Sequence, residues 1–348
     1  MDVPNTTTTG DKTAVKTKRI EGFDLLRGLC AIAVACYHIL SWLGAAHLDS
    51  WGRYGVYIFF VLSGASMYVA YNRKFAQGYD AAKFVVFRFI RLAPLFAVVL
   101  AVNITYLVLK GQSLLDVLSL ALLNISFAFG FGNPGGTSLV TGGWSLGIEF
   151  LFYLTFPLLV AVIRGRYWLT IVAAAFVAQH LFITQVLAGT TLAAAGVSYT
   201  QMLSFIFYFV AGCCIGRLIE NRVIHPSPIW VAGFVALSMP LAVIHGENNL
   251  LGLTGVTLSL CSAAIVLASA GLPLSGATSW VADCLGKMSY GVYLIHPLVY
   301  AAGKNLLADQ SPILVAIVVI TISALAALVS EKYFEAPVRR KLQKVIDR

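Results

Sequence analysis

The chain alternates long apolar stretches with short polar segments along nearly its whole length. Ten of the stretches approach the ~20 residues that a helix needs to cross a bilayer. They cover residues 23–43, 54–71, 84–109, 144–163, 167–187, 200–218, 229–246, 250–270, 288–306 and 312–331. An eleventh stretch, 114–129, is shorter. The pattern predicts an all-α polytopic membrane bundle of about ten transmembrane helices plus one short re-entrant or interfacial segment.

The composition agrees with this class. Hydrophobic residues make up 59% of the chain and charged residues only 11%, against roughly 25% charged residues in a soluble domain. The net charge of +9 does not require a nucleic-acid partner, because basic residues collect on the cytosolic side of membrane proteins. The six cysteines lie in or near apolar stretches without the spacing of disulfides or metal ligands. We therefore expect no metal.

The distribution of basic residues favours one topology. If 114–129 does not span, both termini are cytosolic, and only Arg53, Lys110 and Lys304 of the 24 basic residues lie outside. If it spans, about 11 lie inside and 13 outside, which the positive-inside rule disfavours. We therefore expect an outer, non-spanning segment at 114–129. We also expect a disordered cytosolic tail at 1–19, one transmembrane domain at 20–335 and a basic cytosolic tail at 336–348.

The first helix carries an unusual polar face. Arg27 and His38 are eleven residues apart, an offset that places them on one face about 16 Å apart. Asp24 lies one turn before Arg27 on nearly the same face. Because an ionisable side chain that faces lipid is costly, this face must look into protein or a water-filled cavity.

His38 is the candidate for proton transfer. It lies roughly 8 Å below the outer boundary, and Glu149, in the helix that begins at Trp144, lies at about the same depth. A carboxylate beside an imidazole fixes its tautomer and suits a general base. A buried structural ion pair is the alternative.

Arg88 and Arg91 are the candidates for binding an anion. Their spacing of three residues puts both guanidinium groups on one face of the third helix, at a level similar to that of Arg27. Guanidinium groups match the geometry of phosphate. The alternative is stop-transfer charge at the membrane edge, which is common at such positions.

Several further polar residues form helix faces that could support a site. They are Ser145, Ser289, Tyr293 and His296. Trp144 stands where an interfacial anchor is expected, and polar helix packing accounts for Ser289 and Tyr293 as well as function does. The segment 59–64 ends in Ser63 and Gly64, which indicates close helix packing, and we assign it no chemistry.

Five motifs together resemble the acyltransferase family 3 membrane proteins. They are Arg27 and His38 separated by ten intervening residues, Phe-Phe-Val-Leu-Ser-Gly at 59–64, Arg-Phe-Ile-Arg at 88–91, Trp-Ser-Leu-Gly-Ile-Glu at 144–149 and Ser-Tyr-Gly-Val-Tyr-Leu-Ile-His at 289–296. The resemblance implies a ten-helix O-acyltransferase of the bacterial inner membrane that transfers an acyl group, usually from acetyl-CoA, to a sugar or glycan. It implies a catalytic role for His38 with Arg27, and donor binding by Arg88 and Arg91.

The chain is similar to the branch of this family without a C-terminal hydrolase-like domain, and separate glycan-assembly proteins are expected partners. The hypothesis is that acyl-CoA arrives from the cytosol, its phosphates near the arginines. His38, oriented by Glu149, then activates a hydroxyl that enters from the outer side, or carries the acyl group itself. The alternative is a transporter or flippase of a lipid-linked or anionic sugar, which would use the same intramembrane residues as a relay.

Overall fold

The computed structural model describes residues 19–45, 49–191, 194–223, 227, 229–244 and 250–347. The predicted N-terminal tail lies outside these residues, apart from Arg19. The α-helices of these residues are α1 (Glu21–Trp42), α2 (Asp49–Ala76), α3 (Ala81–Leu109), α4 (Leu114–Ile125), α5 (Pro134–Thr137, a single turn), α6 (Trp144–Arg164), α7 (Trp168–Val186), α8 (Gly196–Tyr199, a single turn), α9 (Ile206–Glu220), α10 (Ile229–Ile244), α11 (Gly252–Ser269), α12 (Ala277–Gly303), α13 (Pro312–Ser330) and α14 (Ala336–Ile346). Short 3₁₀ turns cover Ala128–Phe131 and Met202–Ser204, and a π turn covers Glu331–Glu335.

The all-α membrane class is confirmed. Seven helices in the described part of the chain are long and apolar enough to cross a membrane: α1, α2, α3, α6, α7, α11 and the continuous helix from α13 to α14. Helices α9, α10 and α12 occupy the remaining three predicted spans. The segment predicted as a basic tail is the helix α14, which continues α13 through the π turn.

The prediction that 114–129 does not span is also confirmed. Helix α4 has 12 residues, about 18 Å at 1.5 Å per residue, against a hydrocarbon core of about 30 Å. The next long helix, α6, begins beside Tyr293, whose hydroxyl donates to the carbonyl oxygen of Gly142 at 2.8 Å. Tyr293 lies one turn before His296, which contacts His38. Helix α6 thus starts at the end of the bundle where α1 finishes. This is expected if only α2 and α3 cross the bundle between them, because a crossing by α4 would place the start of α6 at the opposite end.

We call this the histidine end of the bundle, and the end where α1 begins the arginine end. Helices α1 and α12 run parallel and pack along each other, and α2 packs along α9. The second contact depends on glycine, because a Cβ on Gly64 would lie 2.2 Å from the carbonyl oxygen of Phe209. A Cβ on Gly212 would lie 2.1 Å from the carbonyl oxygen of Val61. The predicted packing role of Gly64 is therefore confirmed.

Replacing Gly64 with alanine should destabilise the bundle by about 1–3 kcal/mol, because the two backbones must separate. The thermal midpoint of the purified protein in detergent measures the loss. Gly233→Ala is the control, since a Cβ there meets nothing within 4 Å. Equal midpoints for the two variants would contradict the close contact between α2 and α9.

Candidate active site

Helices α1, α2, α3, α6 and α12 surround a cavity that holds most of the predicted site residues. Seven of the eleven candidates line it: Arg27, Arg88, Arg91, Ser145, Glu149, Ser289 and Tyr293. The cavity begins among the arginines and reaches the first turn of α6. It therefore connects the arginine end of the bundle with the level at which α6 starts.

The three arginines are satisfied in different ways. Arg27 donates from Nη1 to the carboxylate of Asp24 at 3.3 Å and from Nη2 to the hydroxyl of Ser66 at 2.9 Å. Arg91 is exposed, and no hydrogen bond or ion pair to a described residue involves it. Three arginines and one carboxylate, Glu149, line the cavity, and Asp24 offsets Arg27 from outside it, so an excess of positive charge remains.

Arg88 is 8% exposed and is surrounded by aromatic rings. Its guanidinium carbon lies 4.8 Å from the ring centre of Tyr71 and 5.5 Å from those of Phe84 and Tyr153. Aromatic faces stabilise a cation, but they accept no conventional hydrogen bond. The Nε of Arg88 is buried and has no hydrogen-bond partner among the described residues, so the protein does not fully satisfy this guanidinium group.

Glu149 is held from two sides. The hydroxyl of Ser63 donates to its Oε1 at 2.9 Å, and the hydroxyl of Tyr153 donates to the same oxygen at 2.5 Å. No described residue donates to Oε2. The carboxylate is therefore fixed in position while one of its oxygens stays free to accept a hydrogen bond.

Tyr293 and Ser145 form the other end of the cavity. Their hydroxyls are 2.8 Å apart, within hydrogen-bond distance, and both lie near the carbonyl oxygen of Gly142, at 2.8 Å from Tyr293 and 3.0 Å from Ser145. The ring of Tyr293 lies 6.5 Å from that of His296, centre to centre. Tyr293 thus lies between the cavity and the histidines.

His38 and His296 form a pair next to this end. The Nδ1 of His38 lies 2.9 Å from the Nε2 of His296, and the two rings are nearly parallel. This arrangement corrects the predicted pairing of His38 with Glu149. Helix α1 packs along α12, so the polar face of α1 meets α12, whereas the hydrogen bonds of Glu149 stay within α6 and reach α2.

Two candidates, Asp24 and Trp144, lie outside the cavity and the histidine pair, and a third, Ser289, lines the cavity with its hydroxyl bound to its own helix. Asp24 forms ion pairs with Arg19 at 2.5 Å and with Arg27, outside the cavity. Trp144 packs on the ring of Phe205, 5.5 Å away. Ser289 lines the cavity, but its hydroxyl donates to the carbonyl oxygen of Gly286 at 2.9 Å.

Sequence reasoning missed four residues of the site. Ser66, Tyr153 and Tyr290 line the cavity, and Ser63, to which only a packing role was assigned, binds Glu149. Helical spacing could have found two of them, because Tyr153 follows Glu149 by four residues and Ser66 follows Ser63 by three.

In the described ranges, no group of three or more His, Cys, Asp and Glu residues could hold a metal ion.

The fold and site define a class: a polytopic helical membrane protein with a cationic cavity that approaches a histidine pair. The model of the acyltransferase-3 family, described as an acyltransferase domain, matches residues 20–331. The chain therefore belongs to the acyltransferase-3 family, and the resemblance seen in the five motifs is confirmed.

Curated relatives are distant but cover most of this chain. O-acetyltransferase OatA of Staphylococcus aureus is 25% identical over 357 aligned positions, which cover 92% of this chain and 57% of OatA. Nodulation protein 10 of Rhizobium leguminosarum bv. viciae is 27% identical, over an alignment that covers 80% of this chain and 82% of the nodulation protein. Acyltransferase MdmB of Streptomyces mycarofaciens is 25% identical, over an alignment that covers 84% of this chain and 82% of MdmB. The chain thus spans little more than half the length of OatA, and no solved structure matches it significantly.

Glu149→Leu should lower the stability of the protein by about 1–3 kcal/mol, because the hydroxyls of Ser63 and Tyr153 lose their acceptor. Glu149→Gln keeps a side-chain carbonyl oxygen and should lose less. Thermal midpoints of both variants in detergent measure the difference. Equal losses would show that these hydrogen bonds do not hold the carboxylate in place.

Proposed function

We propose that this chain is an integral membrane O-acyltransferase that moves an acyl group from acyl-CoA to a hydroxyl of a sugar or glycan. Membership in the acyltransferase-3 family supports acyl transfer. The name of the relative OatA, an O-acetyltransferase, supports acetyl as the group and oxygen as its acceptor. Sugar as the acceptor rests on the five motifs that the chain shares with the family.

One observation carries the proposal: a single cavity contains unpaired cationic groups and also reaches the side chain that contacts the histidine pair. An acyl-CoA has the same two parts, since its phosphates are anionic and its thioester stands at the far end of the pantetheine arm. The phosphates would bind Arg88, Arg91 and Arg27 through charge-assisted hydrogen bonds. The thioester would then lie toward Tyr293 and Ser145.

His38 would act as the general base near the histidine end. It would take the proton of the acceptor hydroxyl while the oxygen bonds to the thioester carbon. The carbon–sulfur bond then breaks, and the thiolate leaves and regains a proton to give CoA. Arg27 and Glu149 would line the path between donor phosphates and thioester, with Ser145, Ser289 and Tyr293 as supporting polar groups.

The charge distribution of the sequence supports a cytosolic arginine end and both termini in the cytosol. The histidine end would then face the outer side, and the acceptor would enter there. Donor and acceptor would then reach the site from opposite faces of a bacterial inner membrane. Proteins that assemble or carry the glycan would supply the acceptor.

His38→Ala should abolish acyl transfer, because the substitution removes the proposed general base. The purified protein in lipid nanodiscs is incubated with labelled acetyl-CoA and candidate glycans, and free CoA and acylated sugar are measured. His180→Gln is the control, since His180 binds only its own helix, at the carbonyl oxygen of Phe176. Full activity in folded His38→Ala would contradict the proposal, as would uptake of sugar by wild-type protein in vesicles without acyl transfer.

Arg88→Ala and Arg91→Ala should each raise the KM for acyl-CoA about 10- to 100-fold, since a charge-assisted hydrogen bond contributes about 1.5–3 kcal/mol. The kcat at saturating donor should change less. Initial rates over a range of donor concentrations separate the two constants. Arg166→Ala is the control, because Arg166 is exposed and lies outside the cavity. An unchanged KM in both cavity variants would rule out donor binding by these arginines.

A further inference from the structure

The hydrogen bonds of the histidine pair determine which nitrogen of each ring carries a proton. The Nδ1 of His296 lies 2.9 Å from the carbonyl oxygen of Val292, one turn earlier in α12. A carbonyl oxygen can only accept, so this Nδ1 must carry hydrogen and donate. Pro297 follows directly and has no N–H, which leaves the carbonyl of Tyr293 on the same turn without its helical donor.

Burial and the lack of a charged partner favour the neutral form of both rings in the resting protein. His296 is completely buried, at 0% exposure, and no described carboxylate forms an ion pair or hydrogen bond with either imidazole. A buried positive charge without such a partner is costly. In neutral His296 only one nitrogen carries hydrogen, so its Nε2 has a free lone pair and acts as an acceptor.

The state of His296 then fixes that of His38. Since the Nε2 of His296 accepts, the Nδ1 of His38, 2.9 Å away, must be the donor. The Nε2 of His38 is left with the lone pair, and no hydrogen bond of the described residues involves this atom. Nearly parallel rings of Trp42 and His296, with centres 5.3 and 5.2 Å from that of His38, restrict rotation of the imidazole.

We infer that His296 is a positioning residue that holds His38 as the Nδ1–H tautomer, so that Nε2 is the basic atom. The inference rests on the proposed function for the role of the base. When the acceptor hydroxyl gives its proton to Nε2, both nitrogens of His38 carry hydrogen. The Nδ1–H bond to His296 then stabilises this imidazolium, until its Nε2 proton passes to the leaving thiolate. A neutral imidazole bound to a backbone carbonyl thus fills the place in which a carboxylate often orients a catalytic histidine.

Two substitutions of His296 separate its two hydrogen bonds. The side-chain oxygen of glutamine is as many bonds from Cα as Nε2, so His296→Gln keeps an acceptor for His38. Asparagine reaches only as far as Nδ1, so His296→Asn keeps the partner of Val292 and removes the acceptor. We expect His296→Asn to lower kcat about 10²- to 10⁴-fold, the usual contribution of a general base, with little change in the KM for acyl-CoA. His296→Gln should keep kcat within about tenfold of wild type.

A merely structural role would give a different pattern. Equal losses in folded Gln and Asn variants would overturn the inference, as would an unchanged kcat in His296→Asn. His296→Phe keeps a ring of similar size and removes both nitrogens, and it should match His296→Asn. Wild-type activity in His296→Phe would show that ring packing alone is required.

The tautomer can be measured without any acyl transfer. In full-length protein labelled with ¹⁵N-histidine in nanodiscs, the signals of His38 are those that His38→Gln removes. We expect a protonated Nδ1 and an unprotonated Nε2 in wild type, and a mixture of tautomers in His296→Asn. An Nε2–H tautomer in wild type would overturn the inference even if acyl transfer is observed. Absence of acyl transfer with the expected tautomer would instead contradict the proposed function.

Discussion

The cost of placing charge inside an apolar bundle governs the arrangement of this molecule. Arg27, Arg88 and Arg91 enter the bundle from one end, and lipid cannot solvate them. The protein satisfies Arg27 with a carboxylate and a hydroxyl, surrounds Arg88 with aromatic rings and leaves Arg91 exposed. Because this offsets only part of the charge, the cavity favours an anion. The five helices around it each present a polar face there and an apolar face elsewhere.

The cost of burying charge also explains why the arginines and the histidine pair lie apart in the candidate site. The histidines lie at the opposite end from the arginines, where a proton can be held without direct repulsion from the guanidinium groups. Tyr293 joins the halves, since it lines the cavity and contacts His296. Glu149, anchored by Ser63 and Tyr153, supplies the negative charge between them. Under the proposed function, this order suits a substrate that is anionic at one end and reacts at the other.

The sequence predicted most of the fold and much of the site, and its errors have clear causes. Apolar length located the spans, yet α12 begins at Ala277, well before the predicted 288, because its first turns are polar. There Asp283 is paired with Arg19 and Lys287. The hydroxyl of Ser63 escaped notice because it stands in a motif that also explains close packing. The pattern of apolar residues along the chain could therefore show neither where α12 begins nor what the hydroxyl of Ser63 binds.

The sequence by itself determined which residues share a helix face and where the long apolar helices form, since the helical period and the length of apolar runs are local properties. The sequence alone shows that Arg88 shares a helix face with Arg91, and Arg27 with His38. Only the tertiary structure decided which faces meet. The small Gly28 lets α1 approach Leu285 of α12 closely, and this contact directs His38 toward His296 and away from Glu149. Helix pairing depends on packing between residues far apart in the chain, so spacing along one helix could not reveal the partner of His38.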